Sequence, residues 1–309
     1  MKKFPLVSII TPTYNQAKFL AETIESVLVQ DYPNIEYIVI DDGSTDTTPQ
    51  ILSRYSGKII WERHDNIGQA RTLNKGWSIS NGEIIGYLSS DDILYTDAIS
   101  KLVEVLLADS SIVCAFPDSD LIDIKSRVIK KNVCRSFDLG NLIIRQECFI
   151  GPGALFRRSA FDMVGGWKPN LKLAPDREFY IRLSAHGRFE MCKSTLAGYR
   201  MHQDSISYKD VSEDVGREYL WVLDDYFGGP LVPAEIAFRK DEAYGYAHLL
   251  LARNCFRAGK LKRGFKLYYE ACRLHPPLRN SFVKIRILRN IVSKPMRNAL
   301  SAFRSLVRD

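Results

Sequence analysis

The chain has 309 residues, 46% hydrophobic and 26% charged, the balance of a folded globular protein, so disorder throughout is excluded. That length suits one large core with an appendage or two domains of more modest size. The net charge of +7 is unevenly spread: residues 251–309 hold 15 Lys and Arg against Glu270 and Asp309, a net of +13, which leaves −6 for residues 1–250. An acidic body argues against nucleic acid as the main ligand, while a basic tail points to phosphate-rich surfaces such as anionic lipid.

The six cysteines never come closer than 14 residues, so neither a C-x-x-C pair nor a compact disulfide framework is present, and reduced thiols in a cytoplasmic protein are expected. Met1-Lys2-Lys3 followed by Phe4 to Ile10 imitates a signal peptide, but Pro12, Tyr14 and Asn15 cut the apolar run short. Nothing uncharged reaches the roughly 18 residues that span a bilayer. Any membrane contact is therefore expected to be peripheral.

In chain order, Val7 to Thr11 is a β-branched strand followed by a loop at Pro12 to Asn15 and a helix through Phe19, Ile24, Val27 and Leu28. Ile35 to Ile40 is a second strand, ending in Asp41-Asp42-Gly43-Ser44-Thr45-Asp46 before a helix through Leu52. The unit recurs, with strands at Ile59 to Trp61 and Ile84 to Leu88 and helices over Gly68 to Ser80 and Thr96 to Ala108. Apolar strands alternating with helices mean an α/β architecture, a parallel sheet covered on both faces. Beyond Ile112 the alternation weakens: Cys114 to Phe116 reads as a strand, Asp118 to Lys130 as a hairpin or excursion, and Asp176 to Ala185 as a helix. Asp118, Asp120 and Asp123 are expected in a solvated loop, with metal ligation as the competing reading.

Ligands of such sheets lie beyond the carboxyl ends of the strands. Those ends carry Pro12, Tyr14 and Asn15, then Asp41 and Asp42, then Ser89, Ser90, Asp91 and Asp92. Crowded carboxylates repel unless a cation joins them, which points to a divalent metal; capping of the next helix is the competing reading for Asp42 and Asp46.

The ordered set of Val7 to Asn15, Ile38 to Asp46, Asn66-Ile67-Gly68-Gln69-Ala70-Arg71 and Ser90-Asp91-Asp92 resembles the family 2 inverting glycosyltransferases of the GT-A fold, over roughly residues 5 to 205. The resemblance implies a Rossmann-like, mostly parallel sheet flanked by helices. It also implies a nucleotide-diphospho-sugar donor, commonly a UDP sugar, and a Mn²⁺ or Mg²⁺ cofactor. Carried over residue by residue, Pro12 and Tyr14 form the floor under the base and Asp42 accepts from base or ribose. Arg71 lies near the diphosphate, Asp91 and Asp92 hold the metal, and His202 completes the metal or phosphate contacts. An aromatic surface suits a base, and a guanidinium fork suits phosphate oxygens. The family often reads Asp-x-Asp-Asp where this chain has Ser89-Ser90-Asp91-Asp92. The acceptor's base matches Asp176, with Pro175 in place of the usual preceding acid, which a helix start tolerates. The implied chemistry is one in-line displacement with inversion. No Gln-x-x-Arg-Trp motif occurs, so single-sugar transfer is expected rather than processive synthesis.

The expected domains are a catalytic domain over 1–205 and a helical region over 206–309. Gly245 to Pro276 has the spacing of a single tetratricopeptide-like helical hairpin, expected to pack on the catalytic domain. Met296, Leu300, Phe303 and Val307, with Arg297, Arg304 and Arg308 alongside, predict a basic amphipathic helix on an anionic membrane; packing on its own domain or in a homodimer would leave the same pattern. The expected acceptor is a glycan or lipid-linked hydroxyl. A sugar nucleotidyltransferase, or a nucleotide-sugar-binding module without activity, is the alternative.

Overall fold

The computed structural model describes residues 4–202, 211–230, 232–281 and 283–285. Its first half is built from the runs that sequence periodicity marks: strands β1 (Val7–Thr13), β2 (Ile35–Asp41), β3 (Ile60–Arg63) and β4 (Ile84–Tyr87), interleaved with helices α1 (Leu20–Leu28), α2 (Thr48–Ser53) and α3 (Gln69–Ile79). These strands pair in parallel in the order β3-β2-β1-β4. All seven residues of β1 are buried, as a central strand covered on both faces requires.

Beyond β4 the sheet is mixed. Strand β5 (Ile93–Leu94), helix α4 (Ala98–Ala108), strands β6 (Ile112–Ile122) and β7 (Val128–Lys130), helix α5 (Leu139–Ile144), strand β8 (Leu155–Arg157), helices α6 (Arg158–Val164) and α7 (Pro175–Ser184) and strand β9 (Arg188–Arg200) complete it. Strand β8 runs antiparallel between β4 and β6, β9 lies parallel to β6, and β5 lies antiparallel to β9. The hairpin expected over Asp118 to Lys130 is formed by the end of β6 and β7, which pair antiparallel, but Asp118 and Asp120 belong to β6 and are buried rather than solvated. Their burial is tolerated because donors reach them: Asn132 Nδ2 and Cys134 N donate to Asp118, and Asn132 N to Asp120. Asp123 is the turn residue, accepting from the backbone N–H of Lys125 and Arg127.

Contacts divide the chain into two compact units, Met1–Leu139 with Cys148–Ser205, and Gly140–Glu147 with Ile206–Asp309. The second unit contains α8 (Glu213–Gly216), α9 (Glu218–Gly228), α10 (Ala234–Ala237), α11 (Lys240–Arg257), α12 (Leu261–Leu274) and a 3-10 turn at Pro276–Arg279. Helices α11 and α12 form the expected hairpin around a core of Leu251, Phe256, Leu267 and Ala271. Gly264 lets them close, since a Cβ there would lie 2.5 Å from the Phe256 ring. The amphipathic segment expected at Met296 to Val307 lies outside the described residues. Among the described residues no helix is long and apolar enough to cross a membrane.

Candidate active site

Two loops at the carboxyl ends of β1 and β2 are knitted together. Asn15, in the left-handed region at φ 53°, accepts through Oδ1 from Thr45 N at 2.8 Å, and its own N–H donates to Ser44 Oγ at 2.9 Å. Pro12 is buried at the end of β1 and Tyr14, beside this junction, is 47% exposed, so its ring is open to solvent. Asp42 is buried, and its carboxylate accepts from Ile67 N at 2.7 Å and Gly68 N at 3.0 Å. It thereby ties the end of β2 to the N-terminus of α3, with second lone pairs remaining on both oxygens. Gly68 caps that helix at φ 90°, a conformation suited to glycine. Arg71 lies exposed in the first turn of α3, where unpaired N–H groups and the positive end of the helix dipole favour an anion. Asp46 accepts from Thr48 N at 2.9 Å and from Ala17 N at 3.1 Å, which makes it a loop and helix organiser.

The turn after β4 is positioned by the end of β9. Pairing of Ile93 with Gly198 sets Asp91 against Arg200, so side chains far apart in sequence converge. Asp91 Oδ2 lies 2.9 Å from His202 Nε2, and the imidazole rests on the Phe19 ring with centroids 4.8 Å apart. Asp92 is buried and turned elsewhere: its Oδ1 accepts from Arg200 N at 2.8 Å, while its carbonyl accepts from Thr23 Oγ1 at 2.8 Å. Burial, then the neighbouring Asp91 charge, pushes the Asp92 carboxyl well above the ordinary range, with Arg200 opposing.

Asp91 and His202 stand close enough to hold a divalent cation together. Octahedral ligands on an ion with bonds of about 2.1 Å stand roughly 3 Å apart, close to the observed separation. Among the described residues no three His, Cys, Asp or Glu side chains gather as a closed metal cage. A two-residue site fits an ion whose remaining positions go to diphosphate oxygens and water.

Asp176 opens helix α7 and is half-buried. Burial pushes its carboxyl up, with the Arg177 charge opposing. The helix is anchored by Phe179, stacked on Trp77 at 5.8 Å, and by Glu178, which Arg182 grips through Nε and Nη2 at 2.6 and 2.7 Å. Trp77 also meets Tyr87 and Trp167, and its Nε1 donates to Gly86 O. One aromatic hub thus joins the end of β4 to α7.

Residues 8–165 match Glycosyl transferase family 2. An uncharacterised glycosyltransferase of Rickettsia typhi is 31% identical over 229 residues, covering 70% of this chain and 70% of that protein. The chain belongs to glycosyl transferase family 2. It is a sugar-transferring enzyme, and its fold is that of the GT-A glycosyltransferases. S. aureus TarS 1–349, crystallised in complex with UDP-GlcNAc, shares the fold at a TM-score of 0.63 and 18% identity over 85% of this chain and 89% of that chain. The mannosyltransferase PcManGT from Pyrobaculum calidifontis, in complex with GDP-Man and Mn²⁺, shares it at 0.62 and 18% over 96% and 88%.

In this family 2 transferase the structure also brings forward a residue that sequence reasoning passed over. Arg200 is 1% exposed; its guanidinium donates to Asp91 O at 2.7 Å, Asp123 O at 3.0 Å, Ser126 Oγ at 2.9 Å and Glu22 Oε2 at 2.8 Å. It stands 4.9 Å above the Phe19 ring that also supports His202. The signal was present in Tyr199-Arg200-Met201-His202, since residues two apart on an extended segment share a face.

Proposed function

We propose that this glycosyltransferase moves one sugar per binding event from a nucleoside-diphosphate sugar, of the UDP class, to a hydroxyl of a lipid-linked or polysaccharide acceptor, with inversion and with Mn²⁺ or Mg²⁺ as cofactor. The observation that carries this reading is the meeting of Asp91 and His202 at 2.9 Å above the ends of β4 and β9. Solved relatives in complex with UDP-GlcNAc, and with GDP-Man and Mn²⁺, support the donor class and the cation.

Residues 1–205 form the catalytic domain in this reading and 206–309 a helical region. Pro12 and Tyr14 receive the base, and Asp42 offers its remaining lone pairs to base or ribose while holding the α3 loop in place. Arg71 faces the diphosphate from the α3 N-terminus. Asp91 and His202 hold the cation, and Asp92 fixes the turn that aims Asp91. When bound, the cation offsets charge developing on the leaving diphosphate. Asp176 takes the proton from the acceptor hydroxyl as that oxygen attacks the anomeric carbon. A carboxyl raised by burial suits this role, because a base works best with its pKa drawn towards the operating pH. The protein works in the cytoplasm, peripherally on the inner face of the membrane, with the basic C-terminal tail as an anionic-lipid contact.

Nucleotide sugars screened for thermal stabilisation with Mn²⁺ identify the donor, since a ligand of the folded state raises apparent stability. In the Asp176→Asn variant transfer falls by about 10²- to 10⁴-fold, while donor-induced stabilisation persists. Undiminished turnover removes Asp176 from the role of base. In Asp91→Asn the Mn²⁺-dependent part of the stabilisation disappears; its retention removes Asp91 from the cation site.

A further inference from the structure

Helix α12 buries Gly264, Leu267, Ala271 and Cys272, and the face opposite carries Lys262, Lys266 and Arg273. On the flank between the two, Leu261, Phe265 and Tyr269 recur every fourth residue and are 43%, 54% and 64% exposed. This row of large apolar side chains widens the apolar stripe beyond the part that the hairpin covers. Lys262 and Lys266 are exposed beside the row. Two further cations of the helix are engaged within the protein, Arg263 with Glu213 and Arg273 with Glu270 at 2.9 Å. Phe265 is braced by an edge contact with Phe256 at 5.1 Å, so its ring is held in position.

We infer that this flank of α12 lies flat on an anionic lipid bilayer, with Leu261, Phe265 and Tyr269 entering the interface and Lys262 and Lys266 meeting lipid phosphates. The charge selects this occupant. Residues 286–309 carry six Lys and Arg against Asp309, so the tail has the same sign as the face and does not complement it. A second copy would set the same lysines against each other. A bilayer with anionic headgroups complements the charge, and its interface takes a row of apolar side chains at one depth along a helix. The 14 residues of α12 extend roughly 21 Å along the membrane plane. The inference deepens the peripheral location proposed above by assigning a structured contact distinct from the tail.

The test uses the full-length protein in sedimentation with vesicles of phosphatidylcholine alone and of phosphatidylcholine with phosphatidylglycerol. Wild type binds the anionic vesicles and releases them at high salt. The double variant Lys262→Gln/Lys266→Gln binds about 30-fold more weakly, from the value of each basic residue at an anionic surface. Phe265→Ala/Tyr269→Ala loses at least about tenfold. Circular dichroism and donor stabilisation stay as in wild type in both, because the replaced side chains are more exposed than buried. If both α12 variants bind like wild type while Arg297→Gln/Arg304→Gln/Arg308→Gln abolishes binding, the α12 contact is wrong and the peripheral location stands. If wild type binds neither vesicle, or binds both equally, both readings fall. Dimerisation lost in Phe265→Ala/Tyr269→Ala, without vesicle binding, would identify the face as a contact between copies instead.

Discussion

Replacement of Arg200 by methionine tests how the cation site is held together. Methionine retains much of the stem that packs beside Phe19 and removes the guanidinium. The change strands the carbonyls of Asp91 and Asp123, which receive Arg200 donors at 2.7 and 3.0 Å. Each buried acceptor left without a partner costs about 1–3 kcal/mol, and relief of guanidinium burial offsets part of that sum. Glu22 contributes little, because its side chain is 46% exposed and turns to water. The expected net loss is about 3 kcal/mol, which lowers Tm by roughly 6–12 °C in a domain of about 200 residues. Glu22→Gln, by contrast, should cost less than about 1 kcal/mol. The functional consequence follows from the same bonds: with the Asp91 carbonyl released, Asp91 and His202 lose their common alignment. The Mn²⁺ concentration for half-maximal transfer should rise at least about tenfold, the scale of lost outer-shell support, with kcat at saturating Mn²⁺ changing less. Thermal unfolding and Mn²⁺ titration of the initial rate check both. A variant within about 0.5 kcal/mol of wild type, with an unchanged Mn²⁺ titration, refutes the idea that Arg200 organises the site.

The pH dependence of transfer should show an acidic limb set by Asp176. Burial raises that carboxyl, and the base must be ionised to accept a proton, so kcat/KM falls as pH drops through a pKa above the ordinary aspartate value of about 3.9. The Arg177 charge opposes the rise, so Arg177→Gln should move the limb to higher pH; movement to lower pH contradicts the assignment. In the helical unit, Gly264→Ala should destabilise the α11–α12 hairpin by about 1–3 kcal/mol, because its Cβ would sit 2.5 Å from the Phe256 ring. Denaturant unfolding monitored at the hairpin decides this, and a neutral result means the two helices are packed less closely than described.

The first four strands were legible because each is a short apolar run closed by turn residues, a pattern set by burial on both faces. The 13 residues of β9 were not legible. Lys193, Ser194 and Thr195 interrupt the alternation of Phe189 and Met191, and β9 takes its place through pairing with β6 and β5. That long-range register has no local signature. Asp118 and Asp120 were misread for a related reason: a carboxylate suits a turn by composition, whereas donors from Asn132 and Cys134 on another segment make its burial tolerable. Within the site, the carboxylates at strand ends pointed to Asp91 and the family resemblance to His202 and Asp176, but the direction of each side chain depends on tertiary contacts that no spacing encodes.

The two adjacent aspartate pairs show how direction divides labour. Crowded carboxylates at strand ends seemed to require a cation for all of them, yet most of that charge is met by the backbone. Asp41 accepts from Ser44 N at 2.9 Å and faces Arg63. Asp42 takes the N–H groups of Ile67 and Gly68, and Asp92 takes that of Arg200. Each such bond fixes a loop against a neighbouring strand or helix and answers charge with an oriented dipole. Asp91 differs in facing an imidazole, whose Nε2 lone pair is itself a metal donor in the neutral tautomer. In the proposed cation site the pair at the end of β4 therefore divides into one anchor and one ligand. The anchor is buried where charge is disfavoured, and its hydrogen bond to the β9 backbone sets the turn that carries the ligand. A substitution at Asp92 should for that reason act on cation use in the proposed site through the position of Asp91.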